Sequence, residues 1–153
     1  MNYQEYREIK QKEVNELPLH FAFGQKQLDE KLKELNCTID DVYGLGYAGA
    51  FYLKKDAPII RAYFSKEDQL PELMKDHDFA VDAFYYEMAN HEYHINWQGD
   101  WDVCSCFTGK EPKYGEEKTY VDYLTEAGHS EWIDAYREAK RKFLKMADEN
   151  DWY

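Results

Sequence analysis

Glu87, His91 and His94 are the residues of this 153-residue chain whose types and spacing most readily suggest chemistry. They lie in "YYEMANHEYHINWQGDW", residues 85 to 101. On a helix the three would occupy a sector of about 60°. A carboxylate and two imidazoles on one stripe are donors for a divalent metal. The histidines, however, stand at i, i+3, whereas the zinc-protease signature sets its pair at i, i+4. Further ligands must then come from elsewhere, and Cys104 and Cys106 could complete a two-histidine, two-cysteine set. In an extended segment both thiols would face one side. Their one-residue gap is tighter than structural zinc usually shows, and flanking Val103 and Phe107 suit ordinary burial. With the donor set incomplete at standard spacing, no cofactor and no stoichiometric zinc or iron is expected. His91 is expected to be partly buried and bonded to a neighbouring tyrosine or carboxylate.

Other motifs carry less. "GLGYAG", Gly44 to Gly49, matches G-x-G-x-x-G, but no hydrophobic strand precedes it and no helix opens at its third glycine. A turn that brings backbone close to the core accounts for it better than a nucleotide site. There is no nucleophile elbow, and His129 in "GHS" reads as helix punctuation, so an enzyme is disfavoured. Arg137, Lys140, Arg141, Lys142 and Lys145 crowd the last helix, where cations suit a helix C-terminal half. The net charge of -12 argues against direct nucleic-acid binding.

That charge is unevenly spread. Residues 66 to 102 hold 10 acidic and 2 basic side chains, net -8, about two thirds of the total. Such a segment attracts basic surfaces and repels nucleic acid. On the central helix Tyr86 and Tyr93 are expected opposite the apolar face, beside Asp82. Asp76 and Asp78 precede them, and Trp97, Asp100, Trp101 and Asp102 follow. Carboxylates interleaved with aromatics form a candidate partner-binding surface, the rings as anchors and the charge as steering.

These residues must be positioned by a mainly helical fold, a compact bundle of about five to six helices with at most a small two- to three-stranded sheet or hairpin. The chain is of single-domain length, residues 1 to 153. Apolar spacing predicts helices over 3 to 16, 25 to 36, 57 to 70, 79 to 94, 119 to 127 and 131 to 147, with a short one at Pro71. Trp132, Tyr136, Ala139, Phe143 and Ala147 form the cleanest stripe. Ala80, Phe84, Met88 and Ile95 should share one face of the central helix. Strand is expected near 49 to 54 and in a loop or hairpin over 95 to 107. Thr38 with Asp41 reads as a capping box, and Asp56 and either Asp76 or Asp78 as helix caps. A mean hydropathy of -0.85 with no long apolar run excludes a membrane span. The polar start and three cysteines without framework spacing suit a cytoplasmic protein with reduced thiols.

"DDVYGLGYAGAFYLKKDA" and "DAFYYEMANHEYHI" resemble the glycine-rich turn and Asn-His-Glu-Tyr helix end of an uncharacterised family of small acidic proteins from bacterial genomes, prophages and gut mobile elements. The resemblance covers roughly residues 40 to 98 and carries over no catalytic residue. It implies a small accessory protein of the phage-encoded kind. The leading expectation is a non-enzymatic binding or inhibitor protein whose acidic face engages a basic partner. Its sharpest form is an anti-CRISPR protein that mimics nucleic acid against a nucleic-acid-binding effector. The alternative is a metal- or small-ligand-binding protein, a hydrolase among its forms, using Glu87, His91 and His94.

Overall fold

The computed structural model describes residues 1–46, 49–110 and 118–152. Helix dominates, with one small antiparallel sheet, as the apolar spacing indicates. The chain forms two compact units: Met1–Arg7 with Gln69–Tyr153, and Glu8–Asp68. Helix α1, Tyr3–Asn15, contributes its first residues to the former unit and the rest to the latter.

Within Glu8–Asp68 the elements after α1 are β1 (His20–Phe21), α2 (Gln25–Glu34), β2 (Val42–Gly44), β3 (Ala50–Leu53) and α3 (Ala57–Ser65). The strands pair in the order β1-β3-β2, with His20 opposite Phe51 and Tyr43 opposite Tyr52. Strands β2 and β3 pair antiparallel on either side of "GLGYAG", whose third glycine leads into strand and not into a helix; its residues 47 and 48 lie outside the described residues. Gly49 (φ 66°) explains one glycine there: a Cβ would lie 2.2 Å from the Ala22 carbonyl oxygen. That approach lets Ala22 N–H donate to Gly49 O at 3.0 Å and extends the β1 pairing. The Thr38–Asp41 capping box forms as its sequence indicates. Asp56 makes no side-chain cap; it closes a 3₁₀ turn that already aligns the chain with α3.

Within the other unit lie α4 (Leu70–Leu73), α5 (His77–Asn90), α6 (Gly99–Thr108), α7 (Tyr120–Glu126) and α8 (Ile133–Glu149). Asp76 caps α5, its side chain accepting from Phe79 N–H at 2.9 Å. Trp132, Tyr136, Ala139, Phe143 and Ala147 are all buried, as their 3.6-residue spacing dictates. The first four meet Ala80, Phe84 and Met88 of α5, also buried, in a shared aromatic core. The Phe84 ring sits edge-on to Phe107 at 4.9 Å and to Tyr136 at 5.0 Å. Each such buried side chain contributes roughly 1.5–3 kcal/mol of transfer free energy.

Two expectations for this unit are corrected. Residues 99 to 108 are helical and not a hairpin. Asp100 and Asp102 sit in the first turn, where negative charge suits the helix dipole, and Gly109 (φ 65°) ends the helix in the left-handed region. Helix α5 stops at Asn90 and does not run through His94. Glu92 (φ 50°) reverses the chain, with Tyr93 N–H donating to Met88 O at 3.0 Å in a Schellman closure. Ile95 is consequently 61% exposed and leaves the apolar face it was expected to share.

A left-handed glutamate is strained where glycine is the usual occupant. Glu92→Gly is expected to raise stability by about 0.5–1 kcal/mol, the relief of strain exceeding the added freedom of the unfolded chain. Urea unfolding of the two proteins checks this; a lower midpoint for the variant would refute it.

Candidate metal centre

The site forms at the C-terminal end of α5. Among the described residues Glu87 is the one charged side chain that is buried, at 1% exposure. A carboxylate there requires compensating charge and hydrogen bonds. Its two oxygens have different partners. Oε1 accepts from Arg7 Nη1 at 2.5 Å and from the Tyr3 hydroxyl at 3.2 Å, both on α1. Oε2 accepts from Cys106 Sγ on α6 at 3.2 Å and lies 3.3 Å from His91 Nε2. The third edge, Cys106 Sγ to His91 Nε2, is 3.5 Å. One oxygen, one imidazole nitrogen and one thiol sulfur thus converge on a common point.

Zinc-type bond lengths at tetrahedral angles require ligand-to-ligand edges of about 3.3 Å for O–N, about 3.6 Å for N–S and about 3.5 Å for O–S. The observed O–N and N–S edges of 3.3 and 3.5 Å match one face of that tetrahedron, and the O–S edge of 3.2 Å is about 0.3 Å shorter than ideal. The same lengths are also hydrogen-bond lengths, so the cluster satisfies the buried carboxylate by itself as well. Second contacts hold the donors in place. The Asn96 amide donates to His91 O at 3.0 Å, and Asp102 O, 3.2 Å from Cys106 Sγ, is an alternative acceptor for its one proton.

The arrangement does not suit a cysteine nucleophile. His91 presents the same nitrogen to both Glu87 and Cys106, whereas a base and its orienting carboxylate need opposite ring nitrogens. Cys106 is exposed as a residue, but its sulfur turns inward, and that desolvation and then the bond to Glu87 push the thiol up to about 12. Burial likewise raises the Tyr3 phenol, and the Glu87 charge adds to the shift.

His91 is half-buried beside a carboxylate, as the sequence suggests. His94 does not join it. The turn at Glu92 sends its ring to Phe143 and Trp152, with centroids at 5.9 and 5.6 Å. Cys106 takes the place expected for His94. Because α6 is helical, two residues of separation rotate Cys104 about 200° from Cys106. Cys104 is therefore buried in the core, not at the cluster, its thiol raised by burial and then by Asp100. Tyr3 and Arg7, some 80 residues from Glu87 in the chain, carry no local sequence signal for this role.

The residues expected on one acidic binding face divide between an exposed group and internal contacts. Asp76, Asp78 and Asp82 are exposed and, with Glu72, line a cleft of about 400 Å³ floored by Leu73 and Phe79. Asp82 also accepts from Tyr3 N–H at 2.9 Å. Trp97 is 83% exposed, and Trp101 is half-buried. Tyr86 is half-buried under the Arg7 guanidinium, 5.2 Å from its ring centre. Tyr93, expected in solvent, is half-buried against Tyr136 and Phe143, and its hydroxyl bonds Asp100. Asp100 also accepts from the Tyr136 hydroxyl at 2.8 Å and Tyr120 N–H at 3.1 Å. Asp102 accepts from the Asn96 amide at 2.7 Å. Asp100 and Asp102 thus serve internal bonds.

No helix among the described residues is long and apolar enough to cross a membrane. No curated protein and no solved structure matches the chain. A family of unknown function, DUF7659, matches residues 2–104, a wider stretch than the quoted motifs and one that holds Tyr3, Arg7, Glu87 and His91 but ends short of Cys106. Covering more than half of the chain, that match shows that the protein belongs to the DUF7659 family.

Proposed function

We propose that this chain is a divalent-metal-binding protein whose ion is held by Glu87 Oε2, His91 Nε2 and Cys106 Sγ. The convergence of three different donor atoms at close to tetrahedral edge lengths carries the reading. Cys106 supplies the third donor that the spacing of the histidines lacked. A mixed oxygen, nitrogen and sulfur set suits borderline ions of the zinc class better than magnesium or calcium, which take oxygen. Three protein ligands leave a fourth position for water or an exogenous ligand, and exposed Cys106 sets it near solvent.

Cobalt(II) titration of protein purified without an affinity tag tests this. Tetrahedral visible bands and a thiolate charge-transfer band saturating at one ion per chain are the expected result. A chain that shows neither, with zinc held no more tightly than by a scrambled peptide, would reduce the cluster to a hydrogen-bonded core feature.

A second reading concerns the acidic cleft. Four carboxylates above an apolar floor suit a lysine- or arginine-bearing segment of a partner. The inhibitor and nucleic-acid-mimic forms of that idea draw on the charge distribution alone. Asp76 and Asp82 have structural bonds, so Glu72→Lys with Asp78→Lys is the cleaner probe. The pair is expected to weaken binding of an oligolysine peptide about tenfold at low salt, and much less at 0.5 M salt. Equal binding by both proteins at low salt would remove the cleft from consideration.

A further inference from the structure

We infer that Arg7 is a built-in competitor of the metal, so that the guanidinium and a zinc-class ion alternate as counter-charge to one buried carboxylate. The inference rests on the metal reading above and adds its regulation. Glu87 is too buried to stand alone as an anion, and Arg7 supplies the compensating charge through Oε1. A cation at Oε2 would draw on the same carboxylate, only one oxygen away.

Charge counting then separates two arrangements. With Arg7 engaged, the buried carboxylate already has its compensating positive charge. A divalent ion at Oε2 would supply that compensation itself. An engaged Arg7 would then be a surplus cation a few ångströms from the ion. Each positive group therefore weakens the hold of the other, and by linkage the effect is reciprocal.

The surroundings of Arg7 fit such an exchange. Its side chain is 44% exposed, so it can turn to solvent without breaking a core. The guanidinium lies over the rings of Tyr86 and Tyr3, at 5.2 and 6.0 Å. Tyr3 stays anchored through its backbone bond to Asp82 and its ring contacts with Phe79 and Phe107. The first turn of α1 thus holds its place while Arg7 alone moves.

Zinc affinity of the full chain, measured by competition with a chromophoric chelator, tests the inference. Arg7→Gln is expected to bind zinc about tenfold more tightly than the unmodified protein, within the 5- to 150-fold usual for coupled sites. Arg7→Lys, which keeps the charge, should stay close to the unmodified value. An Arg7→Gln protein that binds zinc equally or more weakly would show that Arg7 merely orients Glu87, and the inference would fall. If that variant folds only when zinc is present, the ion has taken over the counter-charge, which supports the exchange. If it does not fold at all, nitrogen-15 spectra of the unmodified protein decide. Loss of the hydrogen-bonded Arg7 Nη1–H signal on zinc addition supports displacement, and an unmoved signal overturns it. Absence of Cys106-dependent zinc binding in both unmodified and Arg7→Gln proteins is the failure of the metal reading itself, and this inference goes with it.

Discussion

Cys106→Ser is expected to weaken zinc and cobalt(II) binding by more than about a hundredfold, because partners outside the ligand shell alone are worth about 10- to 100-fold. The thiolate charge-transfer band should vanish with it. Stability should change by no more than about 1 kcal/mol, since Cys106 is exposed and a serine hydroxyl can still donate to Glu87. Cys104→Ser is the paired control with the opposite outcome. Cys104 is 1% exposed, and a hydroxyl there lacks the apolar match of the thiol. That change is expected to cost about 1–3 kcal/mol while leaving metal affinity unchanged. Chelator competition and thermal melting on the two variants read both effects. Equal metal binding by Cys106→Ser and the unmodified chain would exclude the site.

Asp100→Ala is expected to lower stability by about 3 kcal/mol, the largest loss anticipated for any single acidic residue near the start of α6. Its carboxylate accepts from two tyrosine hydroxyls and one backbone N–H, linking the turn after α5, the start of α7 and the first turn of α8. Tyr136 is fully buried, so truncation leaves its hydroxyl without that acceptor. Burial pushes the Tyr93 and Tyr136 phenols upward, and Asp100 adds to both shifts. Both rings therefore remain protonated donors at neutral pH. Urea unfolding measures the loss. A change below about 0.5 kcal/mol would return Asp100 to the exposed binding face on which the sequence alone places it.

The opposite outcomes expected for Cys104 and Cys106 show what periodicity can reach. Residues two apart point the same way in a strand and about 200° apart in a helix. A wrong element assignment therefore exchanges a ligand for a core residue. The signals for α6 were present in acidic Asp100 and Asp102 at its start and Gly109 at its end. Weak apolar spacing between them masked the helix. On α8 the spacing is strong, and all five residues of its stripe are buried.

What the amino-acid order determined by itself is local: the helical class, the stripe of α8, that of α5 up to Met88, a cap for α5 at Asp76 or Asp78, and the capping box at Thr38. These depend on backbone periodicity and hydrogen bonds spanning a few residues, so neighbouring side chains suffice to specify them. The tertiary structure alone decided the site. Glu92 adopts a left-handed conformation that no local rule assigns to glutamate, and it separates His91 from His94. Burying Glu87 then requires a cation and donors from whatever the fold brings close, which are Arg7 and Tyr3 from the chain start and Cys106 from the next helix. Sequence spacing cannot encode such meetings, because burial selects partners by proximity in space and the intervening chain imposes no period on them.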